Sequence, residues 1–145
     1  MKTPFLYFIP FLLLLACQVE PEPIDFGKDA CDHCKMVIMD PKFGGEIITE
    51  KGRIYKFDDV NCKINYIDEN DIAEENLKYN LVIDFSEPQT LINADRAYYV
   101  KSDEIKSPMG SQIAAFNSED AAEKMIKRWN GGEALNYFQM KASMD

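Results

Sequence analysis

Cys31-Asp32-His33-Cys34-Lys35-Met36 packs two thiols, the single imidazole of the chain and a thioether into six residues. Thiolate and thioether are soft donors, and such a set selects Cu(I) over hard cations. Zinc accepts cysteine and histidine but makes little use of methionine. Cu(I) also tolerates low coordination numbers. Cys34 and Met36, two residues apart, are therefore the first expected pair, facing one ion from an irregular loop or a short strand whose side chains share a face every second residue. Cys31 or His33 can supply a further donor, as can Met109 in Ser107-Pro108-Met109-Gly110, where proline and glycine fix a turn that presents the side chain.

Other chemistries fit parts of the same segment. Cys31 and Cys34 form a Cys-x-x-Cys, which an envelope thiol-disulfide oxidoreductase would use, or which would close as a plain disulfide. Thioredoxin-like chemistry, however, sets that motif at a helix start after a strand, and no amphipathic helix follows it here. Zinc on Cys31, Cys34, Cys62 and His33 is a further alternative, weakly signalled by one Cys-x-x-Cys without a second. Met39 and Met125 read as core filler. No serine or acid constellation surrounds His33, so no catalytic role is expected for it.

The leader changes the cysteine arithmetic. Lys2 is the only charge in residues 1–16, and the apolar run Phe5 to Leu15 suits a signal peptide and is too short to span a bilayer. Leu14-Leu15-Ala16-Cys17 has the form of a bacterial lipobox, with Cys17 acylated through sulfur by chains such as palmitate. Each buried methylene contributes about 0.8 kcal/mol, so several chains hold the protein on a membrane. Residues 1–16 are then a signal peptide, and residues 17–28 a lipidated N-terminus and tether, with the domain in the periplasm or at the cell surface. Three thiols remain, Cys31, Cys34 and Cys62. They cannot all pair within the chain, whereas a disulfide framework favours an even count.

These residues need positioning elements. Glu46 to Thr49 and Ile54 to Phe57 read as a hairpin bent at Lys51-Gly52. Asp58-Asp59 offers a cap and an acidic first turn to a helix through Val60, Cys62, Ile64 and Ile67, and Leu81 to Phe85 is the next strand. The second half repeats this order. Ala97 to Val100 and Ile113 to Phe116 are strands, and Ser118-Glu119-Asp120 opens a helix with Ala122, Met125, Ile126 and Trp129 on one face. Gly131-Gly132 stops it, and Leu135 to Phe138 is a last strand. Gly52 to Asp59 thus echoes Gly110 to Asn117. The fold class is α+β, with two ββαβ units from an internal duplication, 29–88 with the metal-binding loop and 89–145, each too small to bury much core alone. Cys62 lies opposite a Val60, Ile64, Ile67 stripe, or, in the repeat register, matches Ala121 at the edge of the buried face. It is expected first as a buried or half-buried thiol and second as a ligand.

The net charge of −9, from 25 acidic and 16 basic residues, leaves no basic surface for nucleic acid.

The chain resembles the NosL-type accessory lipoproteins of nitrous oxide reductase over roughly Cys31 to Phe138. The resemblance rests on the lipobox, Cys34-Lys35-Met36, Phe43-Gly44-Gly45, Tyr55 to Asp59 as Tyr-x-Phe-Asp-Asp, Ala94 to Val100, and Pro108-Met109-Gly110 followed by Ala115-Phe116. It implies a periplasm-facing Cu(I) chaperone rather than an enzyme, serving nitrous oxide reductase maturation in denitrification or a related copper enzyme. The implied partners are an ABC-type maturation transporter complex and the reductase. The implied fold is a pair of ββαβ units, distantly similar to organomercurial lyase; mercury handling follows only by that analogy. By position, Cys34 and Met36 match the family's copper-binding cysteine and methionine, and Met109 falls in its Pro-Met-Gly turn. Leu91 stands where a tryptophan is common, and Cys31 and Cys62 are extra thiols. Two copies sharing one copper would make a homodimer, which the sequence leaves open.

Overall fold

The computed structural model describes residues 19–144. The expected signal peptide and the expected lipidation of Cys17 fall on residues outside the described ones.

The first hairpin forms where the alternation placed it: β1, Gly45–Thr49, pairs antiparallel with β2, Ile54–Phe57. Gly44 and Gly45 let it close. A Cβ on Gly44 would overlap the Phe57 carbonyl oxygen and one on Gly45 the Leu81 carbonyl oxygen, and Gly44 has a φ of +97°. α1, Val60–Glu69, follows, and β3, Leu77–Ile83, pairs with the other side of β1. β4, Leu91–Asn93, extends this sheet to the order β2-β1-β3-β4.

The second half repeats the topology. β5, Tyr98–Lys101, lies between β6, Ile113–Phe116, and β7, Glu133–Leu135, with α2, Glu119–Arg128, between β6 and β7 in sequence. Both units therefore run ββαβ with the first strand between the second and third, and α1 and α2 have ten residues each. The architecture is α+β, and the repeated strand order is compatible with duplication. The Ser118 side chain caps α2 by accepting from Ala121 N–H, as expected.

The two units bury one another's apolar faces. One cluster joins Val60, Ile64 and Val82 to Tyr99, Ile113, Tyr137 and Met140; another joins Phe43 and Phe85 to Val100, Phe116 and Trp129. A third, within the first unit, packs Cys31 and Cys62 with Ile38, Ile47, Phe57 and Ile67. α1 thus sits between two cores. Val60, Cys62, Ile64 and Ile67 are all buried, so neither one-sided placement of Cys62 describes it fully.

Four local expectations are corrected. β3 begins at Leu77 rather than Leu81, because its polar residues Lys78 and Asn80 find partners: Lys78 Nζ donates to the Val19 carbonyl and Asn80 meets Lys63. The last strand ends at Leu135. Asn136 and Gln139 form a capping box that starts α3, Tyr137–Ala142, and Tyr137 and Met140 turn inward while Phe138 stays exposed. Asp59 occupies the N-cap position of α1 but does not cap it, and the first turn holds no acid. The segment expected as a tether lies, from Val19 on, against the first unit: Glu22 N–H donates to Glu46 Oε1 at 3.2 Å, Lys56 Nζ to the Pro23 carbonyl at 3.2 Å, and Ile24 is buried.

Lys63 of α1 is fully buried between the units, donating to Asn80 Oδ1 at 2.8 Å and the Leu81 carbonyl at 3.1 Å. Burial pulls its ammonium down from the ordinary 10.5 to about 7. Between those two values the unfolded chain binds more protons than the folded one, so stability rises with pH through that window and the full penalty is present below it. The denaturation midpoint of the protein is expected to rise between about pH 6.5 and pH 8.5 by more than that of Lys63→Met. Equal pH slopes for the two would show that Lys63 stays charged when buried.

Candidate metal centre

The segment from Asp29 to Ile38 is a closed loop. Ala30 and Val37 form an isolated antiparallel bridge, Cys31 N–H donates to the Met36 carbonyl at 2.8 Å, and Lys35 N–H to the Cys31 carbonyl at 2.9 Å. Lys35 takes a φ of +65°, the left-handed turn that brings the chain back. β2 pins the loop from outside. Asp32 N–H donates to the Lys56 carbonyl and Lys56 N–H to Asp32 Oδ2, both at 2.8 Å, while Lys56 Nζ pairs with Asp29 Oδ2 at 2.8 Å. The Lys56 ammonium holds the Asp29 carboxyl below its ordinary range.

This clamp sets Cys31 and Cys34 over the start of α1. One ligand atom from each of Cys31, Cys34, Asp58 and Cys62 lies within 4.8 Å of every other. A metal bonded to sulfur at ~2.3 Å spans donors about this far apart, so these four can hold an ion with small movements. All three thiols are free. Cys31 and Cys62 are 0% and 2% exposed, whereas Cys34 is half-buried and donates to Asp58 Oδ2 at 3.4 Å. Asp58 is buried too, and its Oδ1 has no partner.

The electrostatics favour one thiolate among three sulfurs. The Cys62 thiol donates to Cys31, and backbone N–H groups of Asp58, Cys34 and His33 point at the same sulfur, so the Cys31 thiol is held below its ordinary value despite burial. Cys62 is pushed up, first because its proton bonds Cys31, then by burial and the neighbouring Asp58 carboxylate. Burial, first, also raises Cys34.

The Met109 turn of the second unit is bonded to the start of the same helix, α1. Asp59 Oδ2 accepts from Met109 N–H at 3.0 Å and Ser111 N–H at 3.4 Å, its Oδ1 from Ser111 Oγ at 2.6 Å, and Asn61 Nδ2 donates to the Met109 carbonyl at 3.1 Å. Met36, Met39 and Asp58 share a hollow of about 310 Å³ with Pro108 and Lys106. Asp58 belongs to both hollow and thiol cluster and so joins them. Met36 is 49% and Met39 67% exposed; Met39 is therefore not core filler, while Met125 is half-buried against the core. Ile38 takes the inward position, which leaves Met39 at the surface.

His33 does not join the cluster. Its Nε2 faces Glu69 Oε1 at 3.3 Å and its Nδ1 is buried without a partner. Asp58 is the residue that sequence reasoning missed as a donor; an acid directly before a helix reads as a cap, and only the packing of the loop onto α1 shows its other use.

The NosL family profile matches residues 23–144. The chain belongs to the NosL family. Its fold is also similar to that in the crystal structure of the copper chaperone NosL from Shewanella denitrificans, with a TM-score of 0.70 and 23% identity over 84% of this chain and 96% of that one. Among curated proteins none matches. Within the NosL frame, the cysteine-x-methionine loop and the Pro-Met-Gly turn are juxtaposed here by Asp59 and Asn61.

Two outcomes follow from this burial and bonding. In native protein a small alkylating reagent is expected to label Cys34 well before Cys31 or Cys62, with all three labelled on unfolding, as read by peptide mapping. Labelling of Cys62 first would contradict the packing. Asp59→Ala leaves Ser111 and the Met109 turn without their acceptor and is expected to cost about 1–3 kcal/mol by chemical denaturation; a loss well below that would show the bond to be dispensable.

Proposed function

We propose that the protein is a Cu(I) carrier, with Cys34 and Met36 as its first ligands, Met109 as a third, and Cys31 and Cys62 behind them. The observation that carries this is the convergence of three reduced thiols with a hollow lined by exposed thioethers. Exposed methionines are rare choices for a surface, yet they are apt ligands for a soft ion that must enter and leave. A buried thiolate with an exposed thioether mouth suits transfer by ligand exchange: the incoming ligand meets copper at the surface while the inner sulfur still holds it. Membership of the NosL family and the fold shared with a copper chaperone support the same reading.

The finer assignment is part of the proposal. Cys17 carries the lipid, the domain faces the periplasm or cell surface, and the copper goes to the maturation of nitrous oxide reductase or a related copper enzyme through an ABC-type transporter complex. The short distance in sequence from Cys17 to the docked Val19 means that such an anchor would keep the domain close to its membrane.

An anaerobic Cu(I) titration of reduced protein against a competing Cu(I) chelator tests the site. The expected result is one tight equivalent, weakened at least about tenfold in Met36→Leu and more in Cys34→Ser, with the fold retained. Uptake that ignores Met36 would remove the thioether mouth from the mechanism.

A further inference from the structure

Three thiols stand behind the outer thioethers of the proposed site, and they are not equivalent. Cys31 and Cys62 are the most buried, come from the loop and α1 respectively, and pack in the same apolar cluster. Cys34 is half-buried and donates to Asp58, which lines the methionine hollow. The cluster therefore divides into a sulfur pair and a single outward thiol, all within 4.8 Å.

We infer that the site reduces copper as it takes it in: the Cys31 and Cys62 pair supplies two electrons to two cupric ions and closes as a disulfide, while Cys34 stays reduced and keeps Cu(I) with Met36 and Met109. This rests on the carrier reading of the same site. In the first step a Cu(II) ion arriving through the hollow takes one electron from the Cys31 sulfur and becomes Cu(I). Cys62 gives its proton to the Asp58 carboxylate, which faces both thiols and the hollow, and its sulfur bonds that of Cys31. The resulting disulfide radical anion passes the remaining electron to a second Cu(II). In sum, two Cu(II), one thiolate and one thiol give two Cu(I), one S–S bond and one proton. Sulfur is oxidised and copper reduced. A dithiol of the thiol-disulfide oxidoreductase class restores the pair by exchange.

The odd count now has a reason. Two thiols can be spent as an electron pair only if a third survives to hold the product, and thioethers then stabilise the lower oxidation state. A disulfide between Cys31 and Cys34 would serve neither end, because it would leave the buried Cys62 as the one remaining thiol of the cluster.

The test uses the full chain bearing Cys17→Ser, reduced, in detergent and under anaerobic conditions. Two equivalents of Cu(II) are added with a Cu(I) chelator present, and Cu(I) is added to a parallel sample. The expected result is loss of the Cu(II) paramagnetic signal, a mass lower by two hydrogens, a Cys31–Cys62 linked peptide and an alkylatable Cys34. The Cu(I) sample should bind one equivalent with all three thiols unoxidised. In Cys62→Ser the signal is expected to persist at least about tenfold longer. A persisting signal with intact thiols in the unsubstituted cluster, a Cys31–Cys34 link or an intermolecular disulfide would overturn the inference while leaving the carrier standing. Failure of the Cu(I) sample to bind would overturn the carrier itself.

Discussion

The Asp59 carboxylate is the joint on which the site depends. It is buried, and its two oxygens are filled by Ser111 Oγ, Ser111 N–H and Met109 N–H, all from the second unit. A buried charge is tolerated only where donors surround it, so this carboxylate is committed to that turn and unavailable to cap its own helix. The consequence is geometric. The residue before it, Asp58, faces the thiols, and Cys62 stands one turn along the same helix, so one short stretch of chain fixes the thiol cluster and the Met109 turn against each other.

The apolar packing explains why this joint can be held. Small units bury little core alone, and two of the three clusters draw residues from both. α1 lies between the shared core and the loop-facing core, with Val60 and Ile64 on one side and Cys62 and Ile67 on the other. Cys62 is thus positioned by hydrophobic burial and used by its sulfur. The polar network from Lys63 through Asn80 and Tyr137 to Glu74 also crosses between the units, so a slip of one against the other would expose unpaired buried groups as well as apolar surface.

The soft-donor set separates into layers by exposure rather than by sequence distance. Met36, Met39 and Met109 are at the surface, Cys34 is half-buried, and Cys31 and Cys62 are inside. A soft ion bound as proposed would exchange weak thioether bonds for stronger thiolate bonds on moving inward, and the reverse on moving outward. Backbone N–H groups of the loop bias the innermost sulfur toward thiolate, which a rigid loop clamped to Lys56 supplies without further rearrangement.

Much of this was written in residue order. The hairpin came from alternation around Lys51-Gly52, the two helices from their periodicity, and the ββαβ repeat from the echo between Gly52–Asp59 and Gly110–Asn117, all short-range patterns that a linear reading contains. The soft character of the site likewise follows from residue types alone. What the chain order hides is which polar residues are spent on long-range bonds. Asp59 looked like a cap and became a bridge; Asn136 and Gln139, three residues apart, turned an expected strand end into a helix; Asp58 became a donor because a loop distant in sequence folds onto it. Met39 looked like core until Ile38 took the inward position. The sequence by itself determined the chemistry that the protein can offer, because donor softness belongs to atoms. Only the tertiary structure decided which donors meet, because burial and the pairing of carboxylates are settled by contacts between units that no local pattern encodes.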